Sequence, residues 1–383
     1  MARTLYIHWP FCAKKCPYCD FNSHVREGVD VAAWQAALIA DMRAEAAVAG
    51  GEGLTSIFFG GGTPSLMPPA LVAALLAEAE RLWGFDPDIE ITLEANPSSV
   101  EAENFAALAG AGINRVSLGV QSLDDAELHF LGRLHGADEA LAALATAQTQ
   151  FRRVSFDLIY ALPSHTPELW RERLTRALAL GTGHLSLYQL TIEPGTRFAS
   201  DVRRGRLIPL DDDEAAGLFD ITQQLTEAAG LPAYETSNHA RPGEESRHNL
   251  AYWRYQDYCG IGPGAHGRRD GVATVRHKKP ENFLKAVQQG GNGIVEARRL
   301  EPGEQAAEAL LMGLRLAEGV DLAAVGNRFG LPRAGLVDDA ALTRLTSLGL
   351  MWRHGSRIGV APPGRPLLDA LLAEVVADTL VAA

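Results

Sequence analysis

Six short runs rich in apolar and β-branched residues punctuate the first 232 residues: Thr4–His8, Thr55–Phe59, Ile89–Glu94, Arg115–Val120, Val154–Tyr160 and His184–Leu190. Longer stretches with helical spacing separate them, at Val31–Val48, Leu71–Trp83, Ser99–Ala109, Ala137–Gln150, Pro167–Leu180 and Asp213–Ala229. Strands alternating with amphipathic helices predict βαβ units around a parallel sheet. Six units in succession predict an α/β fold, a partial (β/α)6 barrel over residues 1–232. Ligands of such a barrel collect at the C-terminal ends of its strands.

The pattern breaks after residue 232. Residues 233–300 are rich in Gly, Pro, Tyr, Trp, Arg and His, and read as an irregular extension. Regularity returns over 301–383, with helices predicted at Gln305–Ala317, Leu322–Arg328 and Asp339–Leu348. Strands follow at Met351–Arg353 and Arg357–Val360, and a last helix at Leu367–Ala377. Helices followed by a short hairpin give a small α/β winged-helix-like C-terminal domain. It holds ten acids against seven bases, the wrong balance for DNA, so it reads as a packing domain.

Charge narrows the partners. The chain carries 47 acidic against 35 basic residues, a net −12, which argues against nucleic acid and against attraction to anionic lipid. No apolar run is long enough to span a bilayer, and Met1 to Pro10 lacks the layout of a secretory signal. A cytoplasmic, reducing location is expected.

The four cysteines change the picture more. Cys12, Cys16 and Cys19 form C-x3-C-x2-C just after the first predicted strand, and Cys259 stands alone. A disulfide framework needs paired cysteines in a small secreted chain. Three clustered thiols instead suit a metal centre. An iron–sulfur cluster held by three thiolates keeps one iron open to a small molecule. A zinc knuckle is the alternative and needs a fourth ligand, for which His24 and His8 are close. Lys14 and Lys15 lie in the loop and would favour thiolates. Cys259 reads as a buried apolar thiol.

The segment Tyr6 to Phe21, Y-I-H-W-P-F-C-A-K-K-C-P-Y-C-D-F, resembles the signature of the radical S-adenosylmethionine (SAM) family. More closely it resembles the oxygen-independent coproporphyrinogen III oxidases and their heme-chaperone relatives. The resemblance implies a [4Fe-4S] cluster on Cys12, Cys16 and Cys19, with SAM on the open iron, cleaved on reduction to a 5′-deoxyadenosyl radical. Further motifs match in order. F-F-G-G-G-T-P-S, from Phe58 to Ser65, corresponds to the strip that lies against the SAM methionyl group, here Gly60, Gly61, Gly62 and Thr63. Glu94, Gln121, Arg133 and Asp157 match SAM-binding positions, and Tyr6 and Tyr18 match positions that contact the cluster or SAM. Carboxylates and an amide suit hydroxyl and ammonium groups, and an arginine suits a carboxylate through bidentate bonding.

Two features separate the branches of that family. The oxidases have a fourth cysteine two residues after the third, where this chain has Phe21. R-H-N-L-A-Y-W, from Arg247 to Trp253, resembles the H-N-x-x-Y-W motif of the heme chaperones, whose histidine is associated with heme. That resemblance implies His248 as a heme residue, with His239 and His266 as weaker candidates. His8 is expected to orient the cluster loop. The implied function is heme delivery to a respiratory acceptor protein, with an electron donor for the cluster and contact with a membrane through a protein only. The alternatives are the oxidase reaction, coproporphyrinogen III to protoporphyrinogen IX, and a zinc-stabilised scaffold. Gly262, Gly264 and Gly267 spell a dinucleotide fingerprint, but Pro263 and the turn after it lack the required strand and helix. They read as a close-packed loop.

Overall fold

The computed structural model describes residues 2–26, 28–50, 53–377 and 380. Its main sheet has eight strands: β1 (Thr4–Trp9), β2 (Leu54–Gly61), β3 (Phe85–Ala95), β4 (Arg115–Gln121), β5 (Arg153–Tyr160), β6 (His184–Gln189), β7 (Asn238–Ala240) and β8 (Cys259–Ile261). The spatial order is β8-β1-β2-β3-β4-β5-β6-β7. All neighbours are parallel except β6 and β7. Among the described residues the sheet does not close, so the barrel is partial.

Both faces of the sheet have a distinct chemistry. Leu5, Ile7, Ile57, Phe59, Ile91, Leu93, Val116, Leu118, Phe156, Leu158, Leu185 and Leu187 are buried on the outer face against helices. The alternate positions carry Tyr6 and His8, Glu90, Thr92 and Glu94, Arg115 and Ser117, Ser155 and Asp157, and His184 and Ser186. Register sets these residues side by side: Thr92 opposite Arg115, Glu94 opposite Ser117, Ser117 opposite Ser155, and Asp157 opposite Ser186. Parallel strands covered on both faces are normally apolar throughout. A polar lumen is therefore a departure that marks ligand space.

The helix α1 (Val31–Ala49) shows why the middle of the chain is regular rather than irregular. Asp30 caps it by accepting from the Ala33 amide at 3.0 Å. Its buried face runs through Trp34, Leu38, Asp41, Met42 and Glu45, a helical spacing that includes two carboxylates. Arg276 donates from Nε to Asp41 at 2.6 Å and from NH2 to Glu45 at 2.8 Å, and all three side chains are fully buried. Asp41 also accepts from the Gly262 and Gly293 amides.

The extension expected to be irregular thus contributes β7 and β8 to the main sheet. It also forms an antiparallel sheet of β9 (His266–Arg269), β10 (Val272–Arg276) and β11 (Ile294–Arg299). Its strands are three to six residues long. β9 and β10 form a tight hairpin across Asp270 and Gly271, whereas β7 and β8 take their stability from distant partners, which local alternation does not reveal.

The C-terminal segment has helices at Pro302–Gly313, Leu322–Phe329 and Asp339–Ser347, a three-stranded sheet of Val320–Asp321, Met351–His354 and Arg357–Val360, and a helix at Leu368–Val375. It has its own apolar core around Leu310, Leu336, Leu342 and Ile358. Tyr255 donates to Glu308, and Arg365 donates to Gln223 at 3.0 Å, binding it to the preceding segments. Among the described residues no helix is long and apolar enough to cross a membrane.

Candidate functional site

The cluster loop leaves the C-terminal end of β1 and closes on itself where Phe11–Cys12 pairs with His24–Val25. The glycine strip is laced to it: the Gly62 amide donates to Trp9 O at 2.7 Å and the Thr63 amide to Phe11 O at 2.8 Å. A Cβ on Gly61 would lie 2.6 Å from the His8 ring, and one on Gly62 would lie 2.6 Å from Phe11 O. Gly61 also has φ +115°. Glycine at both positions is thus required by the close approach of strip and loop.

Each cysteine sulfur has its own neighbour. Thr63 Oγ1 donates to Cys12 at 3.3 Å, an Arg133 guanidinium nitrogen donates to Cys16 at 3.6 Å, and Ser23 Oγ lies 3.9 Å from Cys19. Burial pushes the Cys12 and Cys19 thiols up from their ordinary value. Lys15 acts in the expected direction at Cys19 but is the smallest of the influences there. Among the described residues no three His, Cys, Asp or Glu side chains gather around one ion. A four-iron cube asks for something different, one thiolate on each of three irons.

The two imidazoles that a zinc knuckle would recruit are engaged with Asn22. His8 Nε2 meets Asn22 O at 2.9 Å, and His24 Nε2 meets Asn22 Oδ1 at 3.2 Å. A carbonyl only accepts, so His8 Nε2 carries the proton, and Nδ1 accepts from the Tyr6 hydroxyl at 2.9 Å. Burial lowers His8 to about 4, which keeps it neutral. Asn22 also donates to Pro263 O and Lys278 O. A Cβ on Gly262 would meet His8 O at 2.4 Å, and one on Gly264 would meet Asn22 Nδ2 at 2.4 Å. The glycine-rich loop is therefore a close-packed brace behind the cluster loop.

Glu94, Gln121 and Asp157 face the lumen near the strand ends. Glu94 accepts from the Gly61 amide at 3.2 Å. Burial, then the Asp157 charge, raises Glu94 to about 8. Burial also raises Asp157 to about 6, although the Ser186 and Ser117 hydroxyls oppose it. Arg115 and Arg133 offset this at Asp157 only in part, and two buried carboxyls held above their ordinary range form a site that gains from a bound cation. Gln121 sits at φ +70°, a left-handed conformation that reaims its amide at the end of β4.

Arg133 is buried at the same level. One terminal nitrogen donates to Asn96 Oδ1 and to Gly119 O at 2.8 Å, and the other to the Cys16 sulfur. Its Nε has no partner. These three internal bonds orient the guanidinium and leave Nε as its donor without a partner among the described residues. Tyr18 lies against this guanidinium, with its ring 6.4 Å from Phe198.

Asn96 was not singled out by sequence, although it follows Glu94 in L-E-A-N-P. Its Nδ2 donates to Thr63 Oγ1 at 3.2 Å. Signal for it existed only in its place beside a strand end.

His248 is the second residue of the helix Arg247–Trp253. Glu90, in an ion pair with Arg153, accepts from the Arg247 amide at 2.9 Å and fixes that helix start. The His248 ring stacks on Phe58 at 4.7 Å and lies 6.0 Å from Tyr6. Burial, then the Arg115 charge, lowers it to about 3, and its Nδ1 is sealed from solvent without a partner. The Trp253 ring is covered by the Arg315 guanidinium at 4.8 Å and meets Tyr252 edge-on. His239 is fully buried against Gln223, and His266 is exposed on β9. Cys259 is buried in β8, as an apolar thiol would be. Phe21, at the position of the oxidases' fourth cysteine, is 62% exposed.

The Radical SAM superfamily matches residues 6–177, and the HemN C-terminal domain matches residues 300–367. Heme chaperone HemW of Escherichia coli is 41% identical over 322 residues, covering 82% of this chain and 83% of the relative. Mouse radical S-adenosyl methionine domain-containing protein 1, mitochondrial, is 43% identical over 326 residues, covering 83% of this chain and 74% of the relative. Among solved structures, coproporphyrinogen III oxidase HemN from Escherichia coli superposes with a TM-score of 0.80 at 23% identity, covering 97% of this chain and 89% of that one. That likeness concerns the fold.

Proposed function

The chain belongs to the radical SAM superfamily and, within it, to the family of the heme chaperone HemW, and from that premise we propose that it is a heme chaperone that binds a [4Fe-4S] cluster, SAM and heme. The observation that carries this reading is the 41% identity to a heme chaperone over most of both chains. Phe21 in place of a fourth cysteine supports the same branch.

Cys12, Cys16 and Cys19 would hold the cluster, which would supply the electron for cleaving SAM. The donor set fits: three thiols on one loop, and an amide strip drawn close by glycines. Tyr6, Tyr18, Gly61, Gly62, Thr63, Glu94, Gln121, Arg133 and Asp157 form the SAM site. The buried Glu94–Asp157 pair, only partly offset by Arg115 and Arg133, favours an ammonium or sulfonium centre, and the free Nε of Arg133 favours a carboxylate. Residues 1–232 act as the core, 233–300 as its brace, and 301–383 as a packing domain.

His248 is the heme residue that the motif implies. To ligate iron its ring has to leave the Phe58 stack. Heme would then pass to a respiratory acceptor protein, and the cluster would need an electron donor.

The test is one anaerobically reconstituted sample in two assays. Heme titration should give a saturable Soret change, and coproporphyrinogen with SAM and a reductant should give no protoporphyrinogen. Turnover to protoporphyrinogen at enzymatic rates would make the protein an oxidase, and one zinc without iron would remove both readings.

A further inference from the structure

Beside the cluster loop lies a cavity of about 710 Å³, within the roughly 300–1,000 Å³ typical of small-molecule sites. Cys16, Pro17 and Cys19 form its inner wall, so it abuts the cluster loop directly, while none of Gly61, Glu94, Gln121 or Asp157 lines it. Its apolar side is Phe130 and Phe198, stacked at 4.9 Å, with Leu207 next to them. Its charged side is Lys14, Lys15, Arg197 and Arg206 against a single carboxylate, Asp201. Arg197 and Arg206 both pair with Asp201, and among the described residues neither lysine has an acidic partner. A cavity with four cations and one acid stands out in a chain of net charge −12. His129 also lines it, exposed in the last turn of the helix Asp125–Phe130. Among the described residues its imidazole makes no hydrogen bond or ion pair, unlike the doubly bonded ring of His8.

A flat aromatic face, a cationic rim and an unengaged imidazole suit one chemical class: an amphipathic macrocycle with carboxylate arms and a central metal. We propose that this cavity is the entry site for heme. The macrocycle packs on Phe130 and Phe198, the propionates meet the arginines and lysines, and His129 offers a nitrogen to the iron. The proposal rests on the heme-handling reading and adds a capture site distinct from His248. The concave shape favours a small molecule over a docked protein.

The test is heme titration of the full-length, cluster-loaded protein, with heme dimethyl ester and iron-free protoporphyrin as probes. Arg197→Glu combined with Arg206→Glu should weaken heme binding about tenfold or more, a change of about 1.4 kcal/mol. The same pair should leave the dimethyl ester unaffected, because it has no carboxylates. His129→Ala should shift the Soret maximum while leaving protoporphyrin affinity unchanged. If the charge reversal also removes the cluster, the His129 variant and the ester comparison on unsubstituted protein decide. Saturable heme binding that all these variants leave unchanged would overturn the entry site and leave the chaperone reading standing. No heme binding by the unsubstituted protein would instead defeat the chaperone reading, and this proposal with it.

Discussion

Thr63 and Cys12 are joined by a hydrogen bond of 3.3 Å from the threonine hydroxyl to the cysteine sulfur. That bond ends a relay. Arg133 donates to Asn96 Oδ1, Asn96 Nδ2 donates to Thr63, and Thr63 passes its own proton toward the sulfur. The other arm of Arg133 reaches Cys16. One buried guanidinium therefore addresses two of the three cluster cysteines.

Hydrogen bonds to a cluster's sulfurs raise its reduction potential by stabilising the more negative state. Thr63→Val keeps the shape and removes the donor. The expected result is a lower cluster potential, by on the order of 50 mV, close to a tenfold change in a one-electron equilibrium. Asn96→Ala should move it the same way by less, because Thr63 remains. A redox titration followed by electron paramagnetic resonance checks both. Equal potentials in all three proteins would show that the relay does not reach the cluster.

The raised carboxyls set a pH dependence. Glu94 has a folded value of about 8 against an ordinary 4.5, and Asp157 about 6 against 3.8. A raised carboxyl favours the protonated form in the folded state. The ligand-free protein should therefore lose stability as pH rises from about 4.5 to about 8, at about 1.4 kcal/mol per tenfold difference in proton affinity. Thermal unfolding across that range should show the fall, and Glu94→Gln should flatten it. SAM affinity should run the other way, tightening as the carboxyls ionise. A melting temperature independent of pH would contradict the account.

The Arg276 cluster predicts a stability cost. Arg276→Ala leaves Asp41 and Glu45 buried without their cation. Removing one partner of a buried ion pair costs about 3–5 kcal/mol, so denaturant unfolding should shift by that order. Asp41→Asn should cost less, because its amide keeps part of the bonding to Arg276. A shift below about 1 kcal/mol, the scale of an exposed ion pair, would mean that the cluster does not hold the extension to α1.

The six strands and their helices were legible because apolar runs and helical spacing are local properties. The lumen was legible too, but only in retrospect. Glu90, Thr92 and Glu94 alternate with Ile89, Ile91 and Leu93, and Arg153, Ser155 and Asp157 alternate with Val154, Phe156 and Leu158. That period-two polar phase in a parallel sheet points to a lined interior. The extension was hidden because its ties are distant in sequence: Arg276 to Asp41 spans 235 residues. His248 presents the same limit. Its motif implies a ligand, while its packing depends on Phe58 and Glu90, far away in the chain.

His248 supports a prediction that separates packing from ligation. Its ring is neutral, stacked on Phe58, and carries a buried Nδ1 without a partner. An unpartnered buried polar atom costs roughly 1–3 kcal/mol. His248→Phe keeps an aromatic ring in the stack and removes that atom, so the variant should be at least as stable as the original protein. His248→Ala should be less stable, because it empties the space against Phe58. If His248 serves only the lumen, His248→Phe should bind heme with an unchanged spectrum. If it ligates iron after unstacking, the same stable variant should lose the histidine-type Soret band. The measurement pairs thermal unfolding with heme titration on both variants. A His248→Phe protein that is as destabilised as His248→Ala would show that the stack on Phe58 contributes nothing to the fold.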